Sequence, residues 1–168
     1  ESDGNLKPKT DIGTELIAIG GDTIVEQCNQ YIQEFGSINQ PEVVYTMTKN
    51  PKRHFMHIVS DGVAAETAME NKQQTMTLLY AMALSLANEF ETGTIGLELM
   101  RGIPTRHSLD ALRKAYAALS ESENDACVRP TINHIVLLCG NTTEAADLLA
   151  ALGDAKSSED SAEKKTSK

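Results

Sequence analysis

The stretch Asn71–Glu91, NKQQTMTLLYAMALSLANEFE, constrains the fold of this chain more than any other. Its large apolar residues Met76, Leu79, Met82, Leu86 and Phe90 recur at steps of three and four, and Leu78, Tyr80 and Ala83 widen the stripe. That spacing sets them on one face of a helix. The fill of Ala, Leu, Met, Gln and Glu contains no proline or glycine to interrupt it. Gly93 stands just beyond, where a left-handed cap residue is expected. The pattern predicts a central helix at about residues 73–91. A stripe this wide has to be covered by a sheet on one side and by another helix or a partner on the other.

Composition limits what can cover it. At 168 residues the chain suits one domain with a core of its own. Aromatics are 4% of the sequence and tryptophan is absent, so that core is built from Leu, Ile, Val, Met and Ala. No apolar run approaches the roughly 20 residues of a membrane-spanning helix. A net charge of −9 argues against general nucleic-acid binding, which needs basic surface to displace phosphate counterions. Acidity serves solubility or a basic partner instead. Cys28, Cys127 and Cys139 are widely spaced and match no Cys-x-x-Cys or zinc pattern. They read as small buried hydrophobes in a reducing compartment, the cytoplasm or an organellar matrix. No signal-peptide pattern is present, and the first residue is Glu1 rather than methionine, as in a processed or trimmed chain.

Around the helix, Glu1–Thr10 is polar, carries Gly4 and Pro8, and reads as a flexible N-terminal arm. Glu15–Gly20 reads as a short buried strand. Thr23–Glu26 has the form of a capping box opening a helix that turns Ile24, Cys28, Tyr31, Ile32 and Phe35 inward and stops at Gly36. Val43–Thr48 and Arg53–Val59 bracket a proline-containing turn and form a hairpin, with either Phe55, His57 and Val59 or Met56 and Ile58 facing inward. Val63–Glu70 is helical in composition. A continuous helix from Val63 to Glu91 would run about 43 Å at 1.5 Å per residue, so a break near the polar run Asn71–Gln74 is preferred. Thr94–Ile103 alternates Ile95, Leu97 and Leu99 as a strand does. Ser108 is placed to cap a helix that buries Leu109, Leu112, Tyr116 and Leu119, and Glu121–Asp125 reads as an acidic turn. Ile132–Cys139 reads as a buried strand, with a helix also compatible, and Asn141–Glu144 opens a last helix over Thr143–Leu152.

The expected architecture is a two-layer α+β domain. A mixed sheet of three to five strands, including the hairpin at about 43–59, packs on the long central helix. Residues 1–10 form the arm, 11–153 a single globular domain, and 154–168 a disordered charged tail with no apolar content to order it.

The chemistry-bearing residues are sparse. Gly20-Gly21-Asp22-Thr23 and Gly140-Asn141-Thr142 each put glycine before a helix start, where free amides can hold an anion. Neither completes a phosphate fingerprint, and both read as caps. His54 and His57 are three apart on a strand, so they point to opposite faces and cannot chelate one ion. His107, Ser108 and Asp110 hold the ingredients of nucleophilic catalysis without a nucleophile elbow, and Ser108 reads as a capping serine. His134 reads as a core histidine, and Glu89 and Glu98 as isolated carboxylates. No catalytic residue, cofactor or metal is assigned.

The local charge anomaly is the hairpin tip, where Lys49, Lys52, Arg53 and His54 gather on an acidic molecule. They protect an exposed strand edge or contact an acidic partner. The function expected from sequence is therefore a non-enzymatic protein-binding module. It would act as an adaptor, a chaperone-like protein or an accessory subunit of a larger homo- or hetero-oligomeric assembly. Two alternatives stand beside it: a small enzyme using His107, Ser108 and His134, and a nucleic-acid contact through the basic tip.

Overall fold

A computed structural model describes residues 1–50, 53–61, 63, 66–101, 103–122 and 131–153. In chain order they form helices α1 (Asp11–Gly20) and α2 (Asp22–Phe35), strands β1 (Glu42–Met47) and β2 (His54–Val59), and helix α3 (Met69–Glu89). Strand β3 (Thr94–Glu98), helix α4 (Thr105–Ser122), strand β4 (His134–Leu138) and helix α5 (142–153) complete them. The α+β architecture read from sequence is the one the chain adopts, with the long helix packed on strands.

The buried face of α3 is Met76, Leu79, Tyr80, Ala83, Leu84 and Ala87. The helix is where periodicity puts it, but its inward face is rotated. Met82 and Leu78 are exposed, whereas Leu84 and Ala87 are buried. Large side chains marked the stripe in the sequence; the packed face instead has two alanines, which let neighbouring backbone approach. The helix runs unbroken through Asn71–Gln74 and begins at Met69, so no bend occurs at the polar run. At its other end Glu91, not Gly93, takes the left-handed conformation (φ 52°). The Thr92 N–H then donates to the Ala87 carbonyl at 3.0 Å, closing the helix from outside.

β1 and β2 form the expected hairpin, paired antiparallel from Glu42 opposite Val59 to Met47 opposite His54. Both of its faces are covered. Val43, Met56 and Ile58 join the main core with α3, while Val44 and Val59 join a second cluster with Leu6, Ile24, Cys28 and Ile38. β3 and β4 pair parallel, Thr94 opposite His134 through Glu98 opposite Leu138. The run at 132–139 is thus a strand, but His134 is exposed on it rather than a core histidine.

The strands form two separate pairs among the described residues. The N-terminal ends of β2 and β3 meet at Phe90, whose ring stacks on His54 with centroids 4.4 Å apart. At their C-terminal ends Glu1 bonds to Ser60 and its amino group lies 3.8 Å from Glu98. β2 and β3 therefore run in the same direction with a cleft of about 330 Å³ between them.

Three expectations near the amino end are corrected. Glu15–Gly20 is not a strand but the end of α1. Thr10 caps that helix by accepting the Gly13 N–H at 2.9 Å, and only Gly13 is buried, leaving Ile19 72% exposed. A good cap, and an apolar run packed on one side only, with Ile17 against the second cluster and Ile19 in solvent, decide for helix, because a central strand would need both faces packed. Nor does α2 use a Thr23 capping box. Its cap is Gly21 (φ 85°), which makes no side-chain bond. Residues 1–10 are not a free arm. Leu6 is buried among Ile24 and Ile38, the Ser2 N–H donates to the Ile58 carbonyl at 2.9 Å, and the Ile38 N–H donates to the Gly4 carbonyl at 2.8 Å. Gly4 is required there, since an added Cβ would meet the Ile38 carbonyl oxygen at 2.3 Å. One leucine and a set of backbone bonds anchor a segment whose composition reads as solvated. The tail expected at 154–168, the acidic turn at 121–125 beyond Ser122, and Cys127 lie outside the described residues.

α4 starts at Thr105, so Ser108 is not a cap but lies inside the helix. It is fully buried, and its hydroxyl shares a hydrogen bond of 2.7 Å with the Tyr80 hydroxyl, which also accepts the Met100 N–H at 2.9 Å. Tyr80→Phe leaves both groups without a partner inside the core. The expected cost is about 1–3 kcal/mol, read as a lower urea midpoint at unchanged slope.

His57 is also fully buried, between Ser2 Oγ (3.2 Å), Thr46 Oγ1 (3.1 Å) and Cys28 Sγ (3.4 Å). Burial, helped by the positive amino group of Glu1, pushes its pKa down to about 4. The unfolded chain protonates this imidazole near 6.5 while the folded chain does not. Stability is thus complete above pH 6.5 and falls as the pH drops toward 4. His57→Gln is expected to flatten that acid-side loss in chemical denaturation curves collected between pH 7 and 4.

Candidate functional site

Parallel strands with helical connections leave a crevice outside their carboxyl ends, and ligands of such sheets bind there. In this chain β3 ends at Glu98 and passes through Leu99–Arg101 into α4. β4 ends at Leu138 and passes through Cys139–Asn141 into α5. Between the two connections lies a cavity of about 260 Å³, lined by Leu99, Ile103, Thr105, Cys139, Glu144 and Leu148 among others. Glu98 and Leu138 line both this crevice and the cleft between β2 and β3, so the two spaces adjoin.

Local sequence builds the rim. Asn141 Oδ1 accepts the Glu144 N–H at 2.9 Å, and the Glu144 carboxylate reaches back to the Gly140 N–H at 2.8 Å, a reciprocal cap that fixes the start of α5. Gly140 keeps the approach open, because a Cβ there would sit 3.3 Å from Glu144 Oε2. α4 contributes its first residue, Thr105, which brings the positive dipole end of that helix to the cavity.

The charges at the rim are interlocked. Arg101 Nη2 lies 3.3 Å from Glu144 Oε1 and 3.6 Å from Glu98 Oε1. Glu98 Oε2 accepts the Thr10 hydroxyl at 2.7 Å. The Arg101 N–H donates to the Glu1 carboxylate at 3.1 Å, and Lys9 lies 3.6 Å from that carboxylate and 2.7 Å from Asp61. The bond from Lys9 holds the Asp61 carboxyl below its usual range. Burial works to lower the Lys9 ammonium, but Asp61 and Glu1 outweigh it and raise the pKa.

The residues singled out from sequence do not gather here. Ser108 is tied to Tyr80 and His134 is exposed on β4, so His107, Ser108 and His134 form no relay. His107 Nδ1 is buried without a hydrogen bond. Lys49 and Arg53 are exposed at the hairpin tip, Lys52 lies outside the described residues, and His54 turns inward to bond Tyr45 and stack on Phe90. Among the described residues no group of three His, Cys, Asp or Glu side chains is arranged to hold a metal, and no helix is long and apolar enough to cross a membrane. The residues that do form the rim, Glu98, Arg101 and Glu144, read as ordinary surface charges in the sequence. Their signal was position: Glu98 ends an apolar strand, Arg101 precedes Gly102 and Pro104 ahead of a helix, and Glu144 stands at capping distance after Gly140-Asn141.

No protein-family model matches the sequence, and no curated protein matches it. Solved structures do. The Oceanobacillus iheyensis macrodomain with ADP superposes at a TM-score of 0.70, with 15% identity, over 94% of this chain and 82% of that one. A glycine-to-valine mutant of the same macrodomain with ADPR gives 0.69 at 15% identity, over 93% and 83%. The IBV X-domain gives 0.57 at 14% identity, over 89% and 79%.

The fold is macrodomain-like. This overturns the expectation of a non-enzymatic adaptor, chaperone-like protein or accessory subunit with protein partners: the matching domains include macrodomains captured with ADP and ADPR, ligand complexes rather than adaptor assemblies. The physical reason is that acidity, methionine content and missing catalytic motifs, on which that expectation rested, describe a surface and a composition. They say nothing of a crevice assembled from backbone ends. Arg53→Glu at the exposed tip is expected to leave the melting temperature of this macrodomain-like fold unchanged, within about 0.5 kcal/mol of stability.

Proposed function

We propose that the chain binds a ribose-bearing nucleoside diphosphate, of which ADP and ADPR are examples, in the crevice outside the carboxyl ends of β3 and β4. The observation that carries this reading is the coincidence of a macrodomain-like fold with a cavity at that place, rimmed by the first turns of α4 and α5. The electrostatics are compatible with an anion despite the net charge of −9. The start of α4 brings the positive end of its dipole to the cavity, and Arg101 offsets the carboxylates of Glu98 and Glu144 that line it, whereas distant carboxylates are screened over about 10 Å. Arg101, half exposed at the mouth, is the side-chain cation that can turn from Glu98 and Glu144 to a diphosphate.

Calorimetry with ADP and ADPR tests this directly. Saturable binding of both, with inorganic phosphate failing to compete at equal concentration, is the expected outcome; no heat from either at millimolar concentration overturns it. Arg101→Glu inverts the charge at the mouth while touching no core residue. It is expected to weaken ADP by about tenfold, the size of one charge-assisted hydrogen bond, and to lower the melting temperature of the free protein, because Glu98 and Glu144 lose the cation they share.

A further inference from the structure

β2 and β3 run in the same direction on either side of the cleft of about 330 Å³, yet they do not pair with each other. A strand turns its backbone groups alternately to its two edges, so the bonds already made show which groups face the cleft. The Ser2 N–H donates to the Ile58 carbonyl, which puts Ile58 on the cleft edge of β2 and, by alternation, Met56 and His54 with it. On β3 the Gly93 carbonyl accepts the His134 N–H. The backbone of Ile95 and Leu97 therefore serves β4, and that of Thr94, Gly96 and Glu98 turns to the cleft. Two rows of amides and carbonyls confront one another, and among the described residues no strand joins them. At the far end one chain already spans the gap. Ser2 bridges Val59 in parallel, and the neighbouring Glu1 amino group lies 3.8 Å from Glu98 Oε2. The cleft is thus one extended chain wide at that end, and that chain runs parallel to both strands.

The walls say what the rest of the cleft accepts. Ala83 and Ala87 of α3 line it from the main core and Ile17 of α1 from the second cluster, so a strand between β2 and β3 has apolar cover on both faces. A strand in that setting is a continuous apolar run, rich in Val and Ile, rather than an alternating one. The charged lining residues Arg53, Glu1 and Glu98 stand at the strand ends, which leaves the middle uncharged. β3 is 5 residues long and offers about 16 Å of edge at 3.3 Å per residue. An acyl chain would suit the walls but leave both rows of backbone groups unpaired, and burying those without partners is unfavourable. A peptide backbone satisfies both rows. The chain's own stretch 154–168 has no apolar run to supply it. We infer that the cleft is a strand-acceptor site. It takes an extended, uncharged apolar segment of another polypeptide, which inserts parallel to β2 and β3 and joins the two strand pairs into a single sheet. This goes beyond nucleotide binding and does not depend on it.

The probe is a capped peptide with a Val-Ile-Val-Ala-Val centre and a serine at each end, labelled with fluorescein and titrated with the full chain. Saturable binding is expected, together with slower hydrogen exchange at the Met56 and Gly96 amides. N-methylation at alternate centre residues removes the donors facing one edge without reducing apolar content, and should weaken binding by about tenfold or more. Gly96→Pro removes a donor on the cleft edge of β3, while the bonds to β4 stay because Ile95 and Leu97 make them. It should weaken the peptide by about tenfold as well. Failure of the peptide to bind, equal binding of its methylated form, or unchanged exchange at both amides overturns the assignment. So does displacement of the peptide by an equimolar fatty acid, which would make the cleft a lipid site. Should Gly96→Pro not fold, the methylated peptide measured on the wild-type chain decides.

Discussion

The Tyr80 hydroxyl joins three elements that have to be held in register for a crevice to exist. It sits on the buried face of α3, shares a hydrogen bond with Ser108 in the second turn of α4, and accepts the N–H of Met100 in the connection that leaves β3. Burial pushes the phenol pKa up, and the two bonds work against that push by stabilising charge on the oxygen. A neutral phenol with both its donor and acceptor capacity engaged is the cheapest way to bury that group. Because the connection from Glu98 to Thr105 forms one wall of the crevice, this core contact also sets where Arg101 and the first turn of α4 stand.

A second constraint comes from the first ten residues. Ser2 pairs alongside Val59, Thr10 both caps α1 and bonds Glu98, and the Glu1 carboxylate receives the Arg101 N–H. The segment thereby bridges the C-terminal ends of β2 and β3, whose pairs no strand joins directly among the described residues. The rim charges thus form a connected set running from Asp61 through Lys9 and Glu1 to Arg101 and Glu144. In such a set the geometry of each member depends on the others, so a substitution at one position is felt at its neighbours.

Local signals carried much of the architecture. The hairpin was legible because alternating apolar residues flank a Lys-Asn-Pro-Lys turn; α4 because Leu109, Leu112, Tyr116 and Leu119 share a helical face; α5 because Asn141 and Glu144 stand at capping distance. The failures share a source in packing. Glu15–Gly20 has a strand's residue types, yet Thr10 at its head and packing on one side only, through Ile17, made it a helix. Ser108 has a cap's chemistry, but Pro104 and Thr105 started the helix a turn earlier and Tyr80 supplied another partner. Glu1–Thr10 has a linker's composition, but Leu6 found a pocket between Ile24 and Ile38. In the last two cases a contact distant in the chain outweighed a local preference worth about 1 kcal/mol or less.

The sequence by itself determined the elements whose information is periodic or adjacent: the central helix, the hairpin, the two apolar strands that follow the central helix, and the helix starts after glycine. These depend on side chains a few residues apart, and a linear reading measures that distance. Only the tertiary structure decided which face of α3 is inward, where the first ten residues go, and that Glu98, Arg101 and Glu144 meet around a crevice. Residues 98 and 144 are far apart in the chain and both carry negative charge, so nothing local brings them together. What does is the parallel pairing of β3 with β4, which carries their two carboxyl ends to the same edge of the fold.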